Sequence, residues 1–135
     1  MLKLTIPGPP VAKQRARITR RGFAYTPKKT VAYETFIREL FAVNYSDFEP
    51  LTGPLEVMVS AFFPIPKGTS KKNRALMEAG TLRRDKRPDA DNVLKIITDA
   101  LNGCAFMDDG QIVQACVEKL YSSTPRLEIE IEVAA

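Results

Sequence analysis

The sequence contains no histidine, and this absence limits the chemistry open to it. Histidine is the commonest general base in proteins and the commonest metal ligand. Ser-His-Asp triads, Cys-His dyads and zinc sites with histidine ligands are therefore excluded from this chain. Any catalysis has to use carboxylates, lysine and a hard metal ion.

Cysteine is scarce as well, because Cys104 and Cys116 are the only two and form no Cys-x-x-Cys pair. Neither a disulfide framework nor a zinc site is indicated, and we expect two small buried thiols in a reducing compartment. The N-terminus lacks the apolar run of a signal peptide, and no stretch approaches the roughly 18 apolar residues of a membrane-spanning helix. We therefore expect a cytoplasmic protein with no membrane partner.

Charge is distributed unevenly along the 135 residues. Residues 1–87 carry 17 basic and seven acidic side chains, whereas residues 88–135 carry three basic and nine acidic ones. A charge run is often only a solvated surface, but like charges repel one another, and phosphate relieves that repulsion. The sequence predicts DNA contacts through the following side chains: Lys13, Arg15, Arg17, Arg20, Arg21, Lys71, Lys72, Arg83, Arg84, Lys86 and Arg87.

The first 50 residues predict a strand, a hairpin and a helix. Residues 2–6 alternate as a strand does and are followed by three prolines. Segments 17–19 and 23–25 flank Gly22 and predict a small hairpin. Thr26 is the expected N-cap and Pro27 the first residue of a helix that ends near Asn44. Its apolar pairs predict one broad buried stripe: Ala32/Tyr33, Phe36/Ile37 and Leu40/Phe41.

The remaining residues predict three strands and two helices. The strands lie at 55–63, 111–121 and 126–133. The helices lie at 70–79 and 91–101, and Gly80 and Gly103 stop them. The last strand alternates, with Leu127, Ile129, Ile131 and Val133 inward and Glu128, Glu130 and Glu132 solvated. The expected fold class is α+β. It is a single domain over residues 1–135 with one mixed sheet of about four strands and helices packed on it.

Reactive side chains are concentrated between Pro88 and Lys95. Pro88 favours an extended approach to Asp89, and an extended Asp-x-Asp segment places both carboxylates on the same side. Asp91 then starts a helix, and Lys95 lies one turn later on the same face. The sequence therefore predicts two carboxylates and an ammonium at one edge of the domain.

A plain structural explanation is open for each of these residues. Asp91 could be an N-cap, Lys95 its salt-bridge partner, and Asp89 a turn residue. The adjacent acids Asp108 and Asp109 favour a metal site over a plain turn, because a turn needs only one such acid beside its glycine. If the following strand lies beside the helix of Asp91, three or four carboxylates converge, and they repel one another unless a cation neutralises them. With oxygen ligands only, we expect Mg²⁺, with Mn²⁺ as a substitute.

An acidic metal site in a basic chain is typical of a metal-dependent nuclease, in which cations hold the phosphate backbone and the metal activates one phosphodiester. At these residues the sequence resembles the RusA family of Holliday-junction resolvases of phages and prophages. The resemblance is carried by P-D-A-D-N-V-L-K at 88–95 and M-D-D-G-Q at 107–111. It extends to I-P-G-P-P-V-A-K-Q-R-A-R at 6–17 and Y-T-P-K-K-T-V-A-Y-E at 25–34, and so covers nearly the whole chain.

The resemblance implies a Mg²⁺-dependent endonuclease that binds four-way DNA junctions and cuts two strands symmetrically. It places the metal-binding aspartates at Asp89, Asp91 and Asp109 and the catalytic lysine at Lys95. Asp108 is the adjacent acid and also a metal candidate, because the sequence alone does not show which of Asp108 and Asp109 faces the metal. The catalytic residues would then be Asp89, Asp91, Asp109 and Lys95.

One departure from the family is that Pro88 stands where the best-known member has an arginine. Arg87 or Lys86 would supply that cation.

A homodimer is implied too, since one acidic cluster serves one strand and two symmetric cuts need two clusters. Phe36, Phe41 and Phe62 are candidate contact residues, although each also fits a plain core position.

The residues by themselves also leave two other functions open. One is a non-catalytic module that binds branched or single-stranded DNA, and the other is a metal nuclease that cuts flaps or other branches.

Overall fold

A four-stranded mixed sheet forms one layer of the protein, and three helices pack against it. The computed structural model describes residues 1–14 and 16–134. The predicted α+β class, with about four strands in one sheet, is confirmed. The elements in chain order are β1 (Leu2–Pro7), β2 (Arg17–Ile18), β3 (Ala24–Tyr25), α1 (Lys28–Asn44), β4 (Leu55–Pro64), α2 (Lys71–Glu78), α3 (Ala90–Leu101), β5 (Ile112–Ser122) and β6 (Arg126–Val133).

The main sheet has the strand order β1-β6-β4-β5. β6 is antiparallel to both β1 and β4, whereas β4 and β5 are parallel. Strands β2 and β3 form the predicted hairpin as a separate two-stranded sheet, and Gly22 adopts a φ of 84° in its turn. A parallel pair needs a crossover connection, and here the crossover contains α2, α3 and the loops around them.

One hydrophobic core lies between the sheet and the helices. Alternate residues of β4 are buried as predicted, because strand side chains point to the two faces in turn. Helix α3 buries the predicted side of its surface against the same core. These residues are Leu55, Val57, Val59, Ala61 and Phe63 of β4, and Val93, Ile96, Ile97, Ala100 and Leu101 of α3.

All three predicted helix starts are displaced by one residue, and α2 starts at Lys71 with Ser70 as its N-cap. Pro27 has an extended ψ of 142° and takes the N-cap position, so α1 starts at Lys28 and Thr26 is not the cap. Helix α3 starts at Ala90, which puts Asp89 rather than Asp91 at the N-cap position. The segment from Asp89 to Asp91 is therefore not an extended strand-like unit.

The buried stripe of α1 is narrower than predicted. Tyr33, Ile37 and Phe41 are buried, whereas the first member of each apolar pair is exposed or half-buried. These three apolar residues are spaced four apart and form a single row along the helix. Of the candidate dimer contacts, Phe41 is core, and Phe36 is partly exposed. Phe62 lies on the open sheet face beneath the guanidinium of Arg126, 3.9 Å from the ring centre.

The prediction of two buried thiols is wrong. Cys116 is exposed and Cys104 is half-buried. Cys116 lies on β5, which is an edge strand, and it pairs with Met58 on the open face of the sheet.

Val133 is also exposed, contrary to the alternation, because β1 pairs with β6 only as far as Ile131.

The solvated glutamate face of β6 is confirmed. Glu128 and Glu130 are half-exposed and Glu132 is exposed. Arg126 pairs with Glu128 at 2.7 Å, and Lys3 lies 3.8 Å from Glu130. Over the described ranges 1–14 and 16–134, none of the helices combines the length and the apolar content needed to cross a membrane.

The burial of α1 predicts a large effect of Ile37→Ala on stability. Ile37 is fully buried, and removing its side chain leaves a cavity, so we expect the free energy of unfolding to fall by about 2–5 kcal/mol. The matched control is Ile18→Ala, since Ile18 is 75% exposed on the hairpin and its loss should cost less than about 0.5 kcal/mol. Urea denaturation measures both, and equal effects would contradict the assigned core.

Candidate functional site

Helix α3 and the start of β5 enclose a cleft of about 380 Å³, called the α3–β5 cleft below. Asp91 and Lys95 line it from the first turns of α3, and Asp109 lines it from the turn before β5. Leu94 and Ile112 form part of its apolar wall. Two predicted carboxylates and the predicted lysine therefore share one cleft.

The turn before β5 gives Asp108 and Asp109 different roles. Asp108 is the N-cap of a 3₁₀ turn at Asp109–Gln111, and its Oδ2 accepts a hydrogen bond of 3.0 Å from the Gly110 amide. A Cβ at position 110 would lie 2.6 Å from that oxygen, so glycine permits this close approach. The Asp108 carboxylate serves the turn, and Asp109 is the member of the pair that lines the cleft.

Gln111 fixes the same turn with both ends of its side-chain amide. Its Oε1 accepts from the amides of Met107 and Asp108 at 3.0 and 3.1 Å. Its Nε2 donates to the carbonyls of Leu51 and Gly53 at 3.0 Å each. The turn is thereby tied to the segment before β4, and the position of Asp109 is fixed from two directions.

The plain structural explanations for Asp91 and Lys95 do not match the observed contacts. Asp91 is not at the N-cap, and its Oδ1 accepts only a local hydrogen bond of 3.0 Å from the Asn92 amide. The salt-bridge partner of Lys95 is Asp99, with 3.0 Å between Nζ and Oδ1. The Asp91 carboxylate is exposed in the cleft.

Asp89 lines a second cleft, of about 350 Å³, which lies under the segment between β1 and β2 and is called the arm cleft below. Lys13, Lys29 and Arg87 also line the arm cleft. Asp89 stands at the N-cap position of α3, yet its side chain makes no capping hydrogen bond. Asp89 is therefore only two residues from Asp91 but lines the arm cleft and not the α3–β5 cleft.

The donor chemistry of these residues fits a hard cation. Carboxylate oxygens are the preferred protein ligands of Mg²⁺, which is usually held by one or two of them together with water and substrate phosphate. Asp91 and Asp109 supply two such carboxylates in one cleft. Within residues 1–14 and 16–134, no three carboxylate or thiol side chains come together as a preformed metal cage.

Lys95 belongs to a network of four charged side chains. Asp99 binds Lys95 through Oδ1 at 3.0 Å and Lys13 through Oδ2 at 3.1 Å. Lys13 is also paired with Glu34 of α1, and its backbone amide donates to the Asn92 carbonyl at 2.9 Å. The network joins α1, α3 and the segment before β2, and it ends at the α3–β5 cleft.

Opposing effects act on the pKa values in this network. Burial tends to raise the pKa of Asp99, but the hydrogen bonds and charges of Lys95 and Lys13 outweigh it and hold that pKa below its usual value. Burial tends to lower the pKa of Lys13, and Glu34 and Asp99 outweigh it and hold that pKa above its usual value. Both groups are therefore charged at neutral pH.

Two cations hold the loop that leads to Asp89. Lys119 of β5 donates to the carbonyls of Lys86 and Pro88 at 2.8 and 2.9 Å. The Nε of Arg84 donates to the Arg87 carbonyl at 2.9 Å, and its guanidinium lies 4.7 Å from the centre of the Phe63 ring. These contacts fix the backbone immediately before α3.

The structure separates the predicted DNA-binding cations into two groups. Lys13 and Arg84 are engaged in the contacts described above and are largely or partly covered. Arg15 lies outside the described residues. The other predicted cations are exposed on the hairpin, the first turn of α2 and the loop before α3: Arg17, Arg20, Arg21, Lys71, Lys72, Arg83, Lys86 and Arg87.

Sequence reasoning missed Asp99, Glu34 and Lys119. Asp99 follows Lys95 by four residues, so a search for i,i+4 partners on both sides of Lys95 finds it. Glu34 and Lys119 act on residues that are distant in the chain, and no local pattern in the sequence marks them.

A fold that places two aspartates and a lysine in one cleft, and carries exposed cations on the same chain, has the side chains of an enzyme acting on phosphodiesters. Comparison with protein families agrees, since the family Endodeoxyribonuclease RusA matches residues 7–132. The chain belongs to the RusA family of endodeoxyribonucleases, as the sequence motifs predicted. It is also similar to the uncharacterized protein YqaN of Bacillus subtilis (strain 168), with 36% identity over 140 residues that cover 99% of this chain and 98% of YqaN.

The contacts of Lys119 predict that Lys119→Met loosens the loop before Asp89. Two hydrogen bonds from a charged group are lost, so we expect a stability loss of about 1.5–3 kcal/mol. We also expect faster hydrogen exchange at the Val93 amide, which donates to the Asp89 carbonyl at 3.2 Å. Lys72→Met is the control, because Lys72 is exposed on α2. Unchanged exchange at Val93 would show that Lys119 does not hold the loop.

The lowered pKa of Asp99 predicts a pH-dependent contribution to stability. An aspartate with a depressed pKa stabilises the fold above its unfolded pKa of about 3.9, and this contribution disappears as the pH falls through the lower folded value. The difference in unfolding free energy between wild type and Asp99→Asn should therefore be constant from about pH 5 to 9 and shrink below about pH 4. Urea titrations across this range test it, with Glu49→Gln as the exposed control; a gap that persists at low pH would contradict the ion network.

Proposed function

We propose that this protein is a Mg²⁺-dependent endodeoxyribonuclease that resolves four-way DNA junctions by paired, symmetric cuts. The observation that carries the proposal is the family match over nearly the whole chain, together with Asp91, Lys95 and Asp109 in a single cleft. Mn²⁺ would substitute for Mg²⁺, because both ions accept carboxylate and water ligands.

Asp91 and Asp109 are the proposed metal ligands, because both line the α3–β5 cleft, whereas Asp89 lines the arm cleft and stays a predicted ligand. The ion would polarise the phosphodiester and activate the attacking water. We assign no ligand role to Asp108, since its carboxylate holds the turn on which Asp109 stands. The apolar wall of the cleft, which includes Leu94 and Ile112, would limit the water around the reacting phosphate.

Lys95 is the proposed electrostatic catalyst. Its side chain is 53% exposed at the cleft, so its ammonium can approach a phosphate that enters. An ammonium has three donors, and Asp99 uses one of them. The remaining donors would stabilise the negative charge that develops on the phosphorus-bound oxygens.

The exposed cations are proposed to hold the DNA backbone. Arg17, Arg20 and Arg21 extend from the hairpin, and Lys86 and Arg87 lie in the loop before α3. Phosphate neutralisation by such groups gives affinity without sequence preference and makes binding dependent on salt. Lys13 and Arg84 would act indirectly, by holding the backbone around the two clefts.

A homodimer is part of the proposal. One α3–β5 cleft can act on one strand at a time, and two cuts related by symmetry need two clefts. A two-fold dimer supplies them with the right symmetry.

The adjacent acids Asp108 and Asp109 provide the sharpest test of this function. Asp109→Asn should reduce cleavage of a labelled four-way junction by about 100-fold or more, since a metal ligand matters at least as much as the outer groups that orient it. Asp108→Asn should retain cleavage, because asparagine is an equally good N-cap. Paired nicks in Mg²⁺ are measured on denaturing gels.

The same experiment separates the alternatives. Junction binding without any cleavage in Mg²⁺ or Mn²⁺ would indicate a non-catalytic binding module. Faster cleavage of flaps than of four-way junctions would indicate a nuclease for other branches. Full activity of Asp109→Asn, or equal loss in both variants, would contradict the assignment of the two acids.

A further inference from the structure

We propose that Asp99 is a positioning residue that holds the Lys95 ammonium at the α3–β5 cleft, with Lys13 and Glu34 fixing Asp99 in turn. The inference rests on the proposed function, in which Lys95 acts on the phosphodiester.

The two oxygens of the Asp99 carboxylate serve two different lysines. Oδ1 lies 3.0 Å from Nζ of Lys95, and Oδ2 lies 3.1 Å from Nζ of Lys13. The carboxylate is thus restrained from one side while it restrains Lys95 on the other. Rotation about its χ angles would break at least one of these contacts.

The side chains of the network become more exposed from Glu34 towards Lys95, as expected if the covered groups hold the exposed lysine in place. The side chains of Glu34, Lys13 and Asp99 are 16%, 23% and 25% exposed, whereas Lys95 is 53% exposed. Covered charged groups interact more strongly than solvated ones, because water screens them less. The network is therefore anchored at its covered end and presents its open end to the cleft.

An isolated i,i+4 pair on a helix surface would not carry this inference. Such a pair stabilises a helix only slightly and leaves the lysine mobile. Asp99 differs because Lys13 reaches it from the segment before β2, and the Lys13 amide is itself bonded to Asn92 of α3. Two lysines and two carboxylates also balance in charge, so Lys13 can be covered without an unpaired charge.

Restraint of Lys95 would affect catalysis because it fixes the position of the ammonium charge relative to the reacting phosphate. A lysine side chain has four rotatable bonds, and an unrestrained ammonium occupies many positions around a phosphate. A point charge that is fixed before the reaction needs no reorganisation when the transition state forms. Asp99 would therefore affect the rate of cleavage more than the affinity for DNA.

A double-mutant cycle on the full chain tests this dependence on Lys95. We expect Asp99→Ala to slow single-turnover cleavage of a four-way junction at saturating protein by about 10- to 100-fold, as for other groups that orient a reacting residue. The junction dissociation constant should change less than threefold. In a Lys95→Ala background, Asp99→Ala should have no further effect, because its action passes through the lysine.

Two conservative variants complete the cycle. Asp99→Asn keeps an oxygen acceptor for one lysine and should recover part of the lost rate. Glu39→Gln removes an exposed carboxylate of α1 and should leave the rate unchanged. Independent, multiplicative effects of Asp99→Ala and Lys95→Ala would overturn the positioning role and indicate a purely structural one.

A measurement without DNA or metal keeps the inference separate from the proposed function. The NMR order parameter of the Lys95 ε-methylene should exceed that of Lys72, which is exposed on α2, and should fall to the Lys72 level in Asp99→Ala. Equal order parameters in the wild type would overturn the inference even if the enzyme cuts junctions. An ordered Lys95 with full cleavage by Lys95→Ala would instead overturn the catalytic role proposed for the lysine.

Discussion

Helix α3 buries Val93, Ile96, Ile97, Ala100 and Leu101 against the sheet, and the rest of the site depends on this contact. Because one face of the helix is held by the core, the opposite face has a fixed direction. Asp91, Lys95 and Asp99 occupy that face at successive turns. The turn before β5 then brings Asp109 to the same cleft, so hydrophobic packing determines where the charged side chains lie.

Cations have two distinct uses in this protein. Lys13, Arg84 and Lys119 bind carboxylates, carbonyls or aromatic rings of the chain itself. Each secures the backbone or a side chain next to an aspartate. Among the exposed arginines and lysines that the structure describes on the hairpin, α2 and the loop before α3, Arg83 donates a hydrogen bond of 3.4 Å to the Gly80 carbonyl, and the others make no such internal contact. Some of the basic residues therefore build the site, and the others are available to bind phosphate.

The sequence allowed the fold to be predicted wherever a local pattern determined burial. The alternation of β4 and β6 and the apolar face of α3 identified the core residues, and Gly22, Gly80 and Gly103 identified turns and helix ends. Cys116 could not be placed, because one sequence does not reveal that β5 is an edge strand. Asp91 and Asp99 each lie four residues from Lys95, so the spacing alone does not show which of them pairs with the lysine. Asp99 is also held by Lys13, which is distant in the chain, and no local pattern reveals that contact. The separation of Asp89 from the α3–β5 cleft likewise depends on where the helix starts.

The parallel pairing of β4 and β5 has a consequence for the order of assembly. β4 ends at Pro64 and β5 starts at Ile112, so the connection between them contains α2, α3 and Asp109. Helices form from local contacts, whereas this pairing requires closure of a long loop before any stabilising contact is gained. Asp109 reaches the cleft of Asp91 only when β5 is in place. A newly synthesised chain thus lacks the complete cleft until its C-terminal strands have joined the sheet.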